Sequence, residues 1–420
     1  MKTLSSSLID LTVDACRELL QFRQPADAVL SAFFRARHCG PRERAFIAEA
    51  AYALLRRKRS LAAWVGPQAD VRQLVLAALV RHGGISLRML DTALPKRDAE
   101  WLAALKAQPE PALTLGEETD LPDWLVERLG ALMSQDELIA LARALNQPAP
   151  LDLRVNTLKA RRDDVLARLD GEGIAAAPCP FAPEGIRLAG KPALAKHLLF
   201  LDGSIEVQDE GSQLLGHLVA PKRGEMVVDF CAGAGGKTLL LGASMRSTGR
   251  LYAFDVSARR LAKLKPRLAR SGLSNVHPVV IANENDVHVK RLAGKCDRVL
   301  VDAPCSGLGT LRRNPDLKWR QTPQDVAELT AKQAAILAAA ARLVKPGGRL
   351  VYATCSLLPE ENEAIVDAFL AKEPQFARHS AREVLAGQGI SLDLKGEDLH
   401  LSPHVHGTDG FYAAVLERAK

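Results

Sequence analysis

In the first third of the chain, apolar residues recur every three or four positions. Leu8, Leu11, Ala15, Leu19 and Leu20 begin the pattern, Ala28, Val29, Ala32 and Phe33 continue it, and Phe46, Ile47, Ala50, Ala53 and Leu54 follow. That period puts one apolar stripe on each segment, so an all-helical domain of short amphipathic helices is expected over residues 1–145. Gly40-Pro41, Gly66-Pro67, Gly83-Gly84 and the prolines at 109 and 111 punctuate it. Gln147-Pro148-Ala149-Pro150 reads as a linker, and residues 146–205 read as a small α+β connector. From 206 to 420 the period changes again. Short apolar runs at 226–230, 251–255, 277–281, 298–302 and 350–353 alternate with helical patterns starting near 238, 257, 322 and 360. Such alternation predicts a doubly wound, Rossmann-like α/β sheet. The run 410–416 adds a last strand with no helix after it.

Composition narrows the class. A chain of 420 residues with 47% hydrophobic and 25% charged residues is globular and outside the disordered class. The formal charge of +7 favours an anionic partner without establishing one. Arg35, Arg37, Arg42 and Arg44 lead to Arg56-Arg57-Lys58-Arg59. That cluster suits phosphate contact, although cations at a helix end also answer the helix dipole. The seven cysteines, at 16, 39, 179, 231, 296, 305 and 355, are odd in number and form no Cys-x-x-Cys pair. This argues against a disulfide framework or a thiolate zinc site. The opening stretch carries Asp10 and Asp14 and lacks signal-peptide features, and no long uninterrupted apolar run follows. A cytoplasmic protein with no membrane association and no metal is the expectation.

Chemistry collects at the predicted carboxyl ends of the strands, where open α/β sheets bind ligands. The first ends in Asp229-Phe-Cys231-Ala232-Gly233-Ala234-Gly235-Gly236-Lys237-Thr238. A Walker loop would need Gly at 231, and a dinucleotide fingerprint begun at Gly233 would need Gly at 238. What remains is a nucleoside-binding glycine loop, with Asp255 at the tip of the second strand suited to accept both ribose hydroxyls. That combination fits S-adenosyl-L-methionine. After the third strand, Asp286, or else Asn283, is a candidate acceptor from the adenine amino group. The fourth strand runs into Asp302-Ala-Pro304-Cys305-Ser-Gly and the fifth into Thr354-Cys355-Ser. Two cysteines thus stand at neighbouring strand mouths above one cleft. A lone cysteine there is usually a small buried hydrophobe; a pair in register is not explained that way. His400, His404 and His406 have no partnering ligand at metal spacing, so a solvated loop is expected.

Together these motifs, with Arg312-Arg313-Asn-Pro-Asp-Leu-Lys318-Trp319, the downstream Glu360, Glu361 and Asn362, and the terminal Asp409-Gly-Phe-Tyr, resemble the RNA cytosine-5 methyltransferases of the Sun (Fmu) family over about 206–420. The helical part, with Pro122-Asp-Trp-Leu-Val-Glu-Arg-Leu, is similar to the bacterial small-subunit ribosomal RNA methyltransferase B subgroup and its NusB-like domain. The resemblance implies a class I S-adenosylmethionine-dependent fold and a monomer acting on RNA. It implies Cys355 as the nucleophile and Cys305 as the group assisting release, and it suits Asp302 to the cytosine edge and the cofactor. Lys237 would lower a thiolate pKa or contact phosphate, unless it is a plain surface lysine. Arg312, Arg313, Lys318 and Arg320 would hold the RNA strand, with Trp319 stacking on a base or lying in ordinary core. Enzymes that methylate exocyclic amines carry an aromatic where Cys305 stands, and DNA cytosine-5 enzymes follow their cysteine with Glu-Asn-Val, absent here. Small-subunit (16S) ribosomal RNA is the expected substrate. Transfer RNA, or a non-catalytic assembly role, are the alternatives. One departure is the loop itself, Ala-Gly-Ala-Gly-Gly-Lys where many relatives have Ala-Ala-Pro-Gly-Gly-Lys; it adds backbone freedom at Gly233 and Ala234.

Overall fold

The computed structural model describes residues 4–90 and 92–420. It resolves into two compact units: the chain up to Pro148 together with Thr310–Pro323, and Ala149–Gly309 together with Gln324–Lys420.

Among the described residues, the first unit contains helices and no strand. Ser5 caps Ser6–Leu19 by accepting from the Leu8 amide at 3.2 Å. Asp70 and Gln73 form a reciprocal capping box at Val71–Arg81. The apolar stripes converge on one core holding Ile9, Ile47, Leu54, Leu76 and Leu102. Into this unit comes the segment 310–323, which sequence reasoning assigned to the catalytic part. Trp319 Nε1 donates to the Leu55 carbonyl at 2.8 Å, and Lys318 Nζ donates to the Arg56 carbonyl at 2.9 Å and Asn146 Oδ1 at 2.8 Å. The helix Ala26–Ala36 has Pro25 at its N-cap, which supplies no side-chain acceptor. Asp316 Oδ2 takes that role, accepting from the Ala26 amide at 3.2 Å.

These contacts correct two expectations. Lys318 is 1% exposed and Trp319 packs against the core, so neither presents itself to an RNA strand. The run Arg56 to Arg59 is engaged internally too. Arg56 donates to the Arg312 carbonyl, Arg57 faces Asp120, Lys58 lies 4.9 Å from the Trp319 ring, and Arg59 bonds Asp123 and the Leu121 carbonyl. Cations bound to their own fold in this way are not a phosphate clamp.

The second unit carries two sheets. The smaller is formed by β1 (Leu151–Val155), β2 (Ala176–Pro178), β3 (Gly185–Leu188) and β4 (Ile205–Val207), in the order β2-β3-β1-β4. The larger contains β5 (Met226–Asp229), β6 (Arg250–Asp255), β7 (Val276–Val280), β8 (Cys296–Asp302), β9 (Val344–Thr354), β10 (Phe376–His379), β11 (Leu399–Leu401) and β12 (Phe411–Arg418). Its order is β10-β12-β9-β8-β5-β6-β7, with β11 also on β12. The five strands β5 to β9 pair in parallel, whereas β12 is antiparallel to β9, and β10 and β11 are antiparallel to β12. The chain winds outward from β5 to β7 and then returns to β8 on the other side of β5. This reversal is the switch point at which such sheets open a cleft.

Sequence periodicity did not yield β10, β11 or the helix Glu210–Val219. Nearly all of that helix is buried, so it has no polar face to reveal its period. β9 begins six residues earlier than expected because its start contains Pro346-Gly347-Gly348, which reads as a turn. Among the described residues, no helix is long and apolar enough to cross a membrane.

Candidate active site

The loop after β5 is held at every turn. The Ala232 amide donates to the Phe254 carbonyl, and the Gly235 amide donates to the Ala232 carbonyl, both at 2.8 Å. The Gly233 amide donates to Asp255 Oδ2 at 2.8 Å. Arg267 Nη1 donates to the Ala234 carbonyl at 2.7 Å and is itself paired with Glu206. The freedom introduced at Gly233 and Ala234 is therefore offset by neighbours outside the loop. Asp229 accepts from Thr238 Oγ1 at 2.6 Å and ties the strand end to the first turn of the helix Gly236–Ser244. Burial pushes the Asp229 carboxyl up to about 7 despite that bond, and the nearby Asp302 pushes in the same direction.

Two glycines of the loop have different jobs. Gly235, at φ +80°, packs so closely that an added Cβ would come 2.2 Å from Leu264 Cδ1. Gly233, at φ +58°, would point a Cβ into open space. The loop thus leaves a cradle at Gly233 beside helix amides, which fits a nucleoside ligand.

Asp255 lies at the tip of β6, 2% exposed. Besides the Gly233 amide it accepts from the Ser257 amide at 2.7 Å and Arg260 at 3.2 Å. In this structure Asp255 therefore joins the glycine loop to the second strand. Asp286 accepts from the amides of Ala282 and His288 and from the His288 ring, capping Val287–Lys290. These bonds, led by the Ala282 amide, hold its carboxyl down at about 2. Asn283 accepts from the Asn285 amide in the same loop. Val256 and Val287, each directly after one of these acids, are 51% and 54% exposed and offer apolar surface at this edge. Sequence reading passed over both; the signal was a β-branched residue immediately after each candidate cofactor acid.

Across the switch point, Lys237 Nζ donates to Asp302 Oδ2 at 2.7 Å. Burial by itself would depress the Lys237 ammonium, but Asp302 outweighs it and the pKa is raised. Lys237 is accordingly a cation fixed at the cleft and not a surface lysine. Pro304 leads to Cys305, whose Sγ lies 3.4 Å from Cys355 Sγ. The Cys355 amide also donates to Cys305 Sγ, at 3.3 Å. The Cys305 thiol is held well above its ordinary pKa, first by its hydrogen-bonding contact with Cys355, then by burial and by the neighbouring Glu361 carboxylate. Cys231, the third cysteine at this edge, has its thiol pushed up by burial, so its place is in the loop's packing. Gly309 donates to the Cys355 carbonyl at 2.8 Å and accepts from the Gly410 amide at 2.8 Å. A Cβ on Gly309 would stand 2.2 Å from the Gly410 carbonyl. The Cys305 loop, the Cys355 loop and the terminal Asp-Gly-Phe-Tyr motif are thus stacked backbone on backbone. In the tail, His400 pairs with Glu363 at 3.2 Å, and His406 accepts from the Ser402 amide.

A doubly wound parallel sheet with a glycine loop after its first strand and an acid at the tip of the next is the class I S-adenosylmethionine-dependent methyltransferase fold. Comparison with known proteins narrows this. The family described as 16S rRNA methyltransferase RsmB/F matches residues 216–417, and the RsmF/B-like ferredoxin-like domain matches residues 121–195. A probable ribosomal RNA small subunit methyltransferase B from Synechocystis sp. is 39% identical over 73% of this chain and 69% of its own. Its counterpart from Bacillus subtilis is 32% identical over 84% of this chain and 78% of its own. The crystal structure of a methyltransferase homologue from Pyrococcus horikoshii superposes with a TM-score of 0.62 at 30% identity, covering 72% of this chain and 97% of that one. The chain belongs to the 16S rRNA methyltransferase RsmB/F family.

Proposed function

We propose that this protein transfers a methyl group from S-adenosyl-L-methionine to carbon 5 of a cytosine in 16S ribosomal RNA, with Cys355 as the nucleophile. The observation that carries this reading is the thiol pair, 3.4 Å apart at the mouths of β8 and β9. Carbon 5 of cytosine is a weak nucleophile until a thiolate adds to carbon 6 and pushes electron density onto it. The raised pKa of Cys305 keeps its proton in place, which leaves the Cys355 sulfur as the one that attacks.

The cofactor residues are those of the loop, Cys231 to Lys237, with Asp255 toward the ribose and Asp286 toward the adenine. Bound there, S-adenosylmethionine supplies an electrophilic methyl group. Asp302 accepts from the cytosine amino group and orients the base edge, while Lys237, bonded to Asp302, supplies the cation for the negative charge that develops as sulfur adds. Once Cys355 Sγ is bonded to carbon 6 and carbon 5 has taken the methyl group, Cys305 releases its proton to water and becomes a thiolate. Cys305 is then suited to accept the carbon 5 proton as the bond from carbon 6 to Cys355 breaks, which restores the ring and the free thiolate.

Cys355→Ala should abolish both methyl transfer and the covalent RNA adduct. Cys305→Ala should let the adduct form and accumulate, visible as an RNA-shifted band on a denaturing gel. Full activity of Cys355→Ala would sink the assignment. Bisulfite sequencing of ribosomal and transfer RNA, with and without the gene, names the cytosine: protection lost only in transfer RNA would replace the substrate, and no loss anywhere would remove the activity.

A further inference from the structure

Both cysteine loops converge on a single carboxylate. Glu361 is fully buried in the short turn Pro359–Glu361 after β9. Its Oε1 accepts from the Ser306 amide at 2.8 Å and from Gln333 Nε2 at 3.0 Å. Its Oε2 accepts from the hydroxyls of Ser306 and Ser356. Ser306 directly follows Cys305, and Ser356 directly follows Cys355. Gln333 also donates to the Pro304 carbonyl at 3.0 Å, on the other side of Cys305. The turn itself is fixed by the Tyr352 hydroxyl, which donates to the Glu361 carbonyl at 2.7 Å.

An ionised carboxylate accepts and does not donate, so these four donors match its capacity. No neutral side chain of the same shape can accept from all four. We propose that Glu361 is a positioning residue for the thiol pair: by binding the residue after each cysteine, it sets the separation of Cys305 and Cys355. The proposal rests on the covalent reading above. The two loops are 50 residues apart in sequence; the pairing of β8 with β9 aligns them as far as Asp302 and Ala353, and beyond the strands Glu361 ties together the residues that follow the two cysteines. The Glu361 charge also favours the protonated form of Cys305, so its removal leaves a signature at that thiol as well as in the rate.

Glu361→Gln keeps the volume and loses the charge. Its kcat should fall by about 100-fold, as expected for reacting groups displaced by an ångström. KM for RNA and cofactor affinity should stay within about threefold, since the ground-state contacts are elsewhere. Alkylation of Cys305 by iodoacetamide, followed by peptide mass spectrometry, should show its pH midpoint shifted downward, because the Glu361 charge that favours the protonated thiol is gone. A wild-type kcat with an unmoved Cys305 profile would overturn the proposal. Should Glu361→Gln fail to fold, Ser356→Ala removes one tie to the same carboxylate and should lower kcat by about tenfold; wild-type turnover there overturns it equally. Cys355→Ala in parallel separates the two readings. Full activity of that variant defeats the nucleophile assignment, whereas an inactive Cys355→Ala beside a fully active Glu361→Gln defeats only the role of Glu361.

Discussion

Gly235 shows how much one residue type decides at this site. Its φ of +80° and the 2.2 Å approach to Leu264 that a side chain would make both exclude a Cβ. Gly235→Ala should therefore cost about 2–4 kcal/mol from left-handed backbone strain and overpacking. The loss should appear as a lower thermal midpoint together with weaker S-adenosylmethionine binding by calorimetry. Asp302 is the contrasting case, a residue whose packing tolerates change but whose charge matters. Asp302→Asn should fold normally and lose about 100-fold in kcat, the scale of one preorganised electrostatic contact, measured as steady-state methyl transfer. The chemistry at both positions was legible in the sequence, since glycines and acids at strand ends carry their meaning locally. Glu361 was visible only as part of a motif, because its role depends on which groups the fold brings to it.

Among the elements, the segment 310–323 behaves least as its sequence suggests. Its cations, Arg312, Arg313, Lys318 and Arg320, read as an RNA-binding stripe, yet Lys318 is enclosed in the helical unit. Burial lowers the Lys318 pKa from 10.5 to about 7, even though Asp120 pulls it upward. A group whose folded pKa is depressed in this way binds fewer protons folded than unfolded between about pH 7 and 10.5. The stability of the helical unit should therefore rise with pH across that window, by at most about 1.4 kcal/mol per pH unit for this one proton. All four tryptophans, at 64, 101, 124 and 319, belong to this unit. Urea unfolding followed by tryptophan fluorescence at pH 7.5 and 9.5 isolates the effect, and Lys318→Met should flatten the difference.

For the molecule as a whole, the chain leaves the catalytic unit at Gly309, contributes fourteen residues to the helical unit, and returns at Gln324. The loop carrying Cys305 is thus covalently continuous with an element of the helical unit. Replacing 310–323 with a Gly-Ser linker should remove the Asp316 cap and the Trp319 and Lys318 anchors together. Hydrogen exchange in Ala26–Ala36 and Pro41–Arg56 should then accelerate, while exchange in β5 and β6 stays as in the parent; unchanged protection in both helices would show that the segment is dispensable. The sequence by itself determined what is written in short-range patterns: the helical and alternating periods, the glycine loop, and the cysteines that close two strands. The sequence placed Cys305 and Cys355 above one cleft; tertiary structure alone decided that their sulfurs come within 3.4 Å, that Glu361 binds the residue after each, and that a basic segment becomes core. Those outcomes depend on strand order and on contacts between residues far apart in the chain, and no local period records them.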